Sequence, residues 1–360
     1  VSDLDDRWTA ATKGCEVVGW RRRVPPAAAL AALARGAEEL GIEQWDGYGE
    51  RGAVERLETE VAGLLGKPAA VLFPSGVMAQ QAALRAWCDR VGSTRVALPD
   101  RSHLLVHEED GPRLLHHFRF EHLTRGPRAP TAADLAALPA GLGAVLVELP
   151  LREAGCLLPS WDDLVALSAA AREGDVPLHA DGARLWESQP AYDRPLDEIA
   201  GLFDSVYVSF YKGLDALAGA IVAGPDDLAD ELRLWRRRMG GTLYRLTPYA
   251  VGGLLGLRDE LPRMASYVAW ARELAGHLVE RGLRTTPEPP QTTTFLVHAE
   301  GEEDALRERL IRVMERERVA PAQAFWASPV PGWCTTEIAV AGAALEHDPA
   351  VVADWLAGLR

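Results

Sequence analysis

The sequence predicts an α/β protein: a mostly parallel sheet covered by helices, followed by a smaller α+β unit. Three observations carry the prediction. At 360 residues the chain exceeds what one ordinary hydrophobic core encloses, so a large domain with a smaller companion is expected. From about residue 54 to 240, short apolar runs alternate with longer amphipathic stretches, as strands do when helices connect them. Beyond Pro248 the alternation gives way to one long helical stretch, then a strand, a helix, a strand and a terminal helix.

Taken in order, the alanine-rich stretch Ala27 to Leu40 reads as a helix that spans the two units. Strands are predicted at Ala69 to Phe73, Thr94 to Leu98, Ala144 to Leu149, Val176 to Ala180, Ser205 to Ser209 and Ala218 to Ala223. Helices fill the gaps at Ala53 to Leu65, Gly76 to Asp89, Trp161 to Glu173 and Asp226 to Arg238. The smaller unit follows as a helix from Met264 to Arg281, a strand from Thr292 to Val297, a helix from Glu302 to Arg316 and a strand from Glu337 to Val340. The Pro/Thr-rich segment Thr285 to Pro290 is a turn inside that unit, because proline fixes φ and removes a donor. The expected division is an N-terminal segment and helix over 1–45, a large domain over 46–250 and a small domain over 251–360.

Composition narrows the function. Apolar residues make up 48% of the chain and charged residues 25%, the proportions of a globular enzyme. With 52 Asp and Glu against 38 Lys and Arg, the net charge of −14 argues against a nucleic-acid partner. Cys15, Cys88, Cys156 and Cys334 have no paired spacing, so neither a disulfide framework nor a thiolate zinc site is expected. His116, His117, Glu121 and His122 do not form a recognised metal set. No long apolar window suggests a membrane span, and the acidic amino end is unlike a signal peptide, so the cytoplasm is the expected location.

Three segments bear chemistry. In Phe73-Pro74-Ser75-Gly76-Val77 a strand turns into a helix, where Ser75 and the N–H groups of Gly76 and Val77 can hold an anion. The plainer alternative is an ordinary serine cap followed by a glycine for close packing. In His179-Ala180-Asp181-Gly182-Ala183-Arg184 a buried strand ends in a carboxylate. Asp181 there can pair with a pyridinium nitrogen, while Arg184 can fork onto a substrate carboxylate; a structural Asp/Arg pair is the alternative. In Ser205 to Gly213, Lys212 follows an apolar, β-branched strand and is one of only 3 lysines. Burial lowers the pKa of an ammonium, so Lys212 can become the free amine that forms a Schiff base; a lone solvated lysine is the alternative.

Phosphate turn, strand-end Asp, Arg and strand-end Lys in that chain order are what pyridoxal 5′-phosphate requires. The same segments, with Gly47-Tyr48-Gly49-Glu50, Val54 to Glu58, Asp100 to His103 and Lys212-Gly213-Leu214, resemble the threonine aldolase/β-eliminating lyase family over about residues 47–260. The resemblance implies fold type I of the pyridoxal 5′-phosphate-dependent transferases, with a mostly parallel seven-stranded sheet in a large domain and a smaller α+β C-terminal domain. It also implies that Lys212 carries the cofactor, that Asp181 holds the ring nitrogen, and that Ser75, Gly76 and Val77 hold the phosphate. Arg184 would receive the substrate carboxylate. His103 would stack on the ring and move protons, and Arg245, in a Gly-rich loop, would reach the phosphate across a subunit boundary or lie on the surface. His179, two residues before Asp181 on the same side of its strand, is expected to sit behind it.

The expected activity is retro-aldol cleavage of a β-hydroxy-α-amino acid to glycine and an aldehyde, with β-elimination to ammonia and a keto acid, or a non-catalytic binding subunit, as alternatives. A homodimer or homotetramer is implied by analogy. The chain departs from the family pattern in places. Its Cys15 to Arg23 stretch lacks the family's amino-terminal serine motif, and no histidine occurs between His122 and His179. Glu337 stands where a second carboxylate-binding arginine is expected. Facing the pocket, Glu337 would favour a larger or cationic side chain; otherwise it is a surface carboxylate.

Overall fold

The computed structural model describes residues 3–21 and 24–359, so Arg22 and Arg23, the end of the Cys15–Arg23 stretch, lie outside the described residues. The chain forms two units, Pro25–Pro262 and Val1–Val24 with Arg263–Arg360. The divisions of these units fall after 24 and 262, where 45 and 250 were expected. The helix Pro26–Glu39 belongs to the larger unit and packs on the helix Thr247–Asp259, where Arg258 reaches Glu39 at 3.0 Å. The segment before residue 24 belongs with the carboxyl-terminal part: Glu16–Val17 pairs in parallel with Val319–Ala320.

The large unit holds a seven-stranded sheet. Its strands are β1 (Ala69–Phe73), β2 (Arg95–Leu98), β3 (Arg119–His122), β4 (Ala144–Glu148), β5 (Leu178–Gly182), β6 (Ser205–Ser209) and β7 (Ala220–Gly224). The spatial order is β1-β7-β6-β5-β4-β2-β3, and only β7 runs antiparallel to its neighbours. Every residue of β4 to β7 is buried, as expected for strands covered on both faces. Edge strand β1 is secured by side chains: Glu58 accepts from the Leu72 N–H at 2.7 Å, and Arg236 donates to the Leu72 carbonyl at 2.6 Å.

Several elements were not anticipated, among them the helices Asp3–Lys13 and Leu185–Tyr192 and the strand Arg284–Thr286, which takes up the start of the segment expected to be a turn. The half-exposed edge strand β3, Arg119-Phe120-Glu121-His122, shows no apolar run. In the helix Thr247–Asp259, glycines are packing positions: a Cβ on Gly253 would lie 2.8 Å from Leu57 Cδ2, and one on Gly256 2.5 Å from the Leu214 carbonyl oxygen.

The small unit carries a four-stranded antiparallel sheet of β8 (Arg284–Thr286), β9 (Thr294–Glu300), β10 (Trp326–Ala327) and β11 (Trp333–Ala339), in the order β10-β11-β9-β8. The helices Met264–Glu280, Glu303–Glu317 and Pro349–Ala357 belong to this unit. Among the described residues no helix is long and apolar enough to cross a membrane.

Candidate active site

The carboxyl ends of β4, β5 and β6, with the start of the helix Gly76–Val91, surround a cleft within the large unit. Parallel strands all deliver their carboxyl ends to the same rim, which is why residues far apart in sequence converge there. Gly76, Val77, His103, Asp181, Arg184 and Lys212 all line this cleft.

Ser75 and Arg245 are not among its lining residues. Ser75 caps the helix, its Oγ accepting from the Met78 N–H at 3.2 Å. Arg245 donates to the carbonyl oxygens of Asp46 and Tyr244, at 2.5 and 3.1 Å, and its guanidinium lies 3.8 Å over the Tyr244 ring. Glu337 belongs to the small unit, half-buried on β11 opposite Leu296, with the Gln323 amide donating to it at 3.5 Å.

Lys212 is positioned by hydrogen bonds at the end of β6. Trp186, fully buried, donates its indole N–H to the Ser209 carbonyl at 2.9 Å, and the Ser209 hydroxyl donates to the Ala183 carbonyl at 2.8 Å. These two bonds tie the chain just before Lys212 to the turn between Asp181 and Arg184. Gly213 leaves room for the buried Glu187 carboxylate, whose oxygen would lie 2.9 Å from a Cβ there. Burial, and next to it the charge of Arg184, push the Lys212 pKa down, against the opposing pull of Asp181, Glu187 and Glu148.

Asp181 is buried and accepts from the Ala183 N–H at 3.0 Å; burial raises its pKa, while Lys212 opposes that rise. Glu148, on the neighbouring strand in register with Asp181, is pushed up to about 7 by burial and by the Asp181 charge. Its carboxylate accepts from the backbone N–H of His103 at 2.7 Å. The His103 ring lies with Nδ1 3.4 Å from the buried carboxylate of Glu108, which also accepts from Gln81 at 2.8 Å. Gly76 is required by Tyr207: a Cβ would sit 2.1 Å from its hydroxyl, which is hydrogen-bonded to Tyr211.

A model of the beta-eliminating lyase family matches residues 28–302. The chain belongs to that family. A *Schizosaccharomyces pombe* protein named a probable low-specificity L-threonine aldolase is 28% identical over 252 residues, which span 66% of this chain but only 64% of the relative. Low-specificity L-threonine aldolase 1 of *Arabidopsis thaliana* is 27% identical over 279 residues, 72% of this chain and 75% of its own. A crystal structure from *Listeria monocytogenes* EGD-E, provisionally assigned as an L-allo-threonine aldolase, superposes with a TM-score of 0.91 at 34% identity, covering 99% of this chain and 98% of that one.

The cofactor is pyridoxal 5′-phosphate, and the cleft fits it. The N–H groups of Gly76 and Val77, in the first turn of a 16-residue helix, have no acceptor within the helix and suit a phosphate. A buried carboxylate at Asp181 suits a protonated ring nitrogen, and an amine with a lowered pKa at Lys212 suits an aldehyde. Glu108, Glu148, Arg152, Tyr207 and Tyr211 also line the cleft and were not singled out from the sequence. Glu148 had a usable signal, a carboxylate closing a fully apolar run. Glu108 had none, since nothing in its surroundings marks it as facing His103.

Proposed function

We propose that this protein is a pyridoxal 5′-phosphate-dependent aldehyde-lyase that cleaves a threonine-like β-hydroxy-α-amino acid to glycine and an aldehyde. The observation that supports the reading most is one cleft in which the Lys212 amine meets Asp181, Arg184 and His103. When bound, the cofactor supplies an aldehyde for the substrate amine and a sink for the electron pair left at Cα. Lys212 gives up its proton more readily than a solvated lysine, so its Nζ can act as a nucleophile or accept a proton. Asp181 places a negative charge on the floor of the cleft, where it favours a protonated ring nitrogen.

Arg184 offers its guanidinium to the substrate carboxylate and so decides which bond at Cα is weakened. His103, with Nδ1 turned to Glu108, keeps Nε2 to take the β-hydroxyl proton. In this reading Glu337 favours a larger or cationic side chain, and the protein works as a homodimer or homotetramer, which sedimentation would test. The activity is tested by supplying L-threonine, L-allo-threonine and β-chloroalanine to the purified protein. Glycine and acetaldehyde from either threonine support the proposal; pyruvate and ammonia from β-chloroalanine, without glycine from the threonines, would replace it with β-elimination.

A further inference from the structure

Behind the cleft, four buried side chains form one hydrogen-bonded chain that ends at Gln80. Trp87 Nε1 donates to Ser205 Oγ at 2.8 Å, Ser205 Oγ meets His179 Nδ1 at 2.7 Å, and His179 Nε2 meets Gln80 Oε1 at 2.7 Å. An indole can only donate and an amide oxygen can only accept, so Ser205 Oγ accepts at the tryptophan end and the imidazole donates from Nε2 at the Gln80 end. A neutral imidazole with its proton on Nε2 leaves Nδ1 as an acceptor, so the Ser205 hydroxyl donates to it. The imidazole, kept neutral by burial that drives its pKa down to about 3, then carries its one proton on Nε2 and gives it to the Gln80 oxygen.

The amide of Gln80 thus has its oxygen toward His179 and its nitrogen away from it. That nitrogen is buried and has no hydrogen-bond partner. Gln80 stands one turn after Gly76 on the same helix and lines the cleft beside Gly76 and Asp181. A buried donor left unpaired is costly, and a folded chain retains one where a ligand supplies the acceptor.

We infer that Gln80 Nε2 donates a hydrogen bond to an oxygen of bound pyridoxal 5′-phosphate, and that His179 is the positioning residue that keeps the amide turned this way. The inference rests on the cofactor assignment, not on the identity of the amino-acid substrate. It also explains why a histidine too buried to touch the substrate lies two residues before Asp181.

The decisive variant is Gln80→Glu, which keeps an oxygen to accept from His179 and replaces the outward N–H₂ with a second oxygen. Wild-type and variant holoenzymes are dialysed against graded pyridoxal 5′-phosphate, and at saturation the visible absorption band and the ³¹P resonance of the bound cofactor are recorded. The expected result is at least fivefold weaker retention, with a displaced band or resonance. Retention weakened less than fivefold, or a band and resonance both identical to wild type, overturns the inference. If Gln80→Glu does not fold, Gln80→Leu is read by the same two criteria. His179→Phe, which frees the amide to turn, should shift both readouts in the same direction by a smaller amount. A wild-type protein that retains no cofactor would instead overturn the cofactor assignment itself.

Discussion

Replacing Glu148 with glutamine should make the cofactor-free protein more stable at neutral pH and leave it nearly unchanged in acid. Glu148 is 3% exposed and lies in register with Asp181 on the adjacent strand. Its carboxyl ionises near 4.5 in an unfolded chain and is pushed up to about 7 in the folded one. Below pH 4.5 both states hold the proton and the group has no effect on stability. Between 4.5 and 7 the unfolded state has released the proton while the folded state retains it, so folding becomes less favourable with each step in pH. Over that window the loss amounts to about 3 kcal/mol, since one pH unit corresponds to about 1.4 kcal/mol. Glutamine has no proton to lose and can still accept from the His103 N–H. Urea unfolding of both proteins at pH 4.5 and pH 8 measures the effect, and the variant's advantage should grow by about 2 to 3 kcal/mol between them. An advantage that is the same at both pH values would refute the view that Glu148 is held protonated by burial beside Asp181.

Lys212→Ala should abolish both the visible cofactor band and the peptide tagged by borohydride reduction, and a tag on Lys13 or Lys67 would remove the assigned role of Lys212. Gly76→Ala drives a methyl group into the Tyr207 hydroxyl and should destabilise the protein by about 1–3 kcal/mol in thermal unfolding, with partial recovery in Gly76→Ala/Tyr207→Phe. Arg184→Gln should raise the KM for the amino acid at least tenfold, about 1.4 kcal/mol of binding, while cofactor retention stays near wild type. Glu337→Gln should lower the preference for cationic over neutral substrates; an unchanged ratio of kcat/KM values would show that Glu337 plays no part in selecting the side chain.

The residues most legible in the sequence were those whose chemistry conflicts with their surroundings. Asp181 and Lys212 each close or follow a buried strand of the sheet, and few structural roles put a charge there. The strands β4 and β7 of the sheet interior were legible for a related reason, because they are runs of apolar residues. What escaped notice depends on contacts between distant parts of the chain. Glu108 and Gln80 acquire meaning only when the helix Gly76–Val91, the segment after His103 and strand β5 converge. Ser75 carries two readings at once: its oxygen caps the helix it begins, and its hydroxyl proton is still available to an anion. Edge strand β3 and the glycine-containing helix Thr247–Asp259 lacked the periodicity that would have revealed them.

The pairing of Glu16–Val17 with Val319–Ala320 has a consequence for biosynthesis. At ordinary translation rates roughly 15 to 60 s separate the appearance of the two segments from the ribosome. Residues 25–262, with the whole cleft, are complete before the partner of Glu16–Val17 exists. The nascent chain must therefore keep its leading segment unpaired throughout that interval, and an N-terminal tag or fusion that captures this segment should impair the carboxyl-terminal unit rather than the catalytic one.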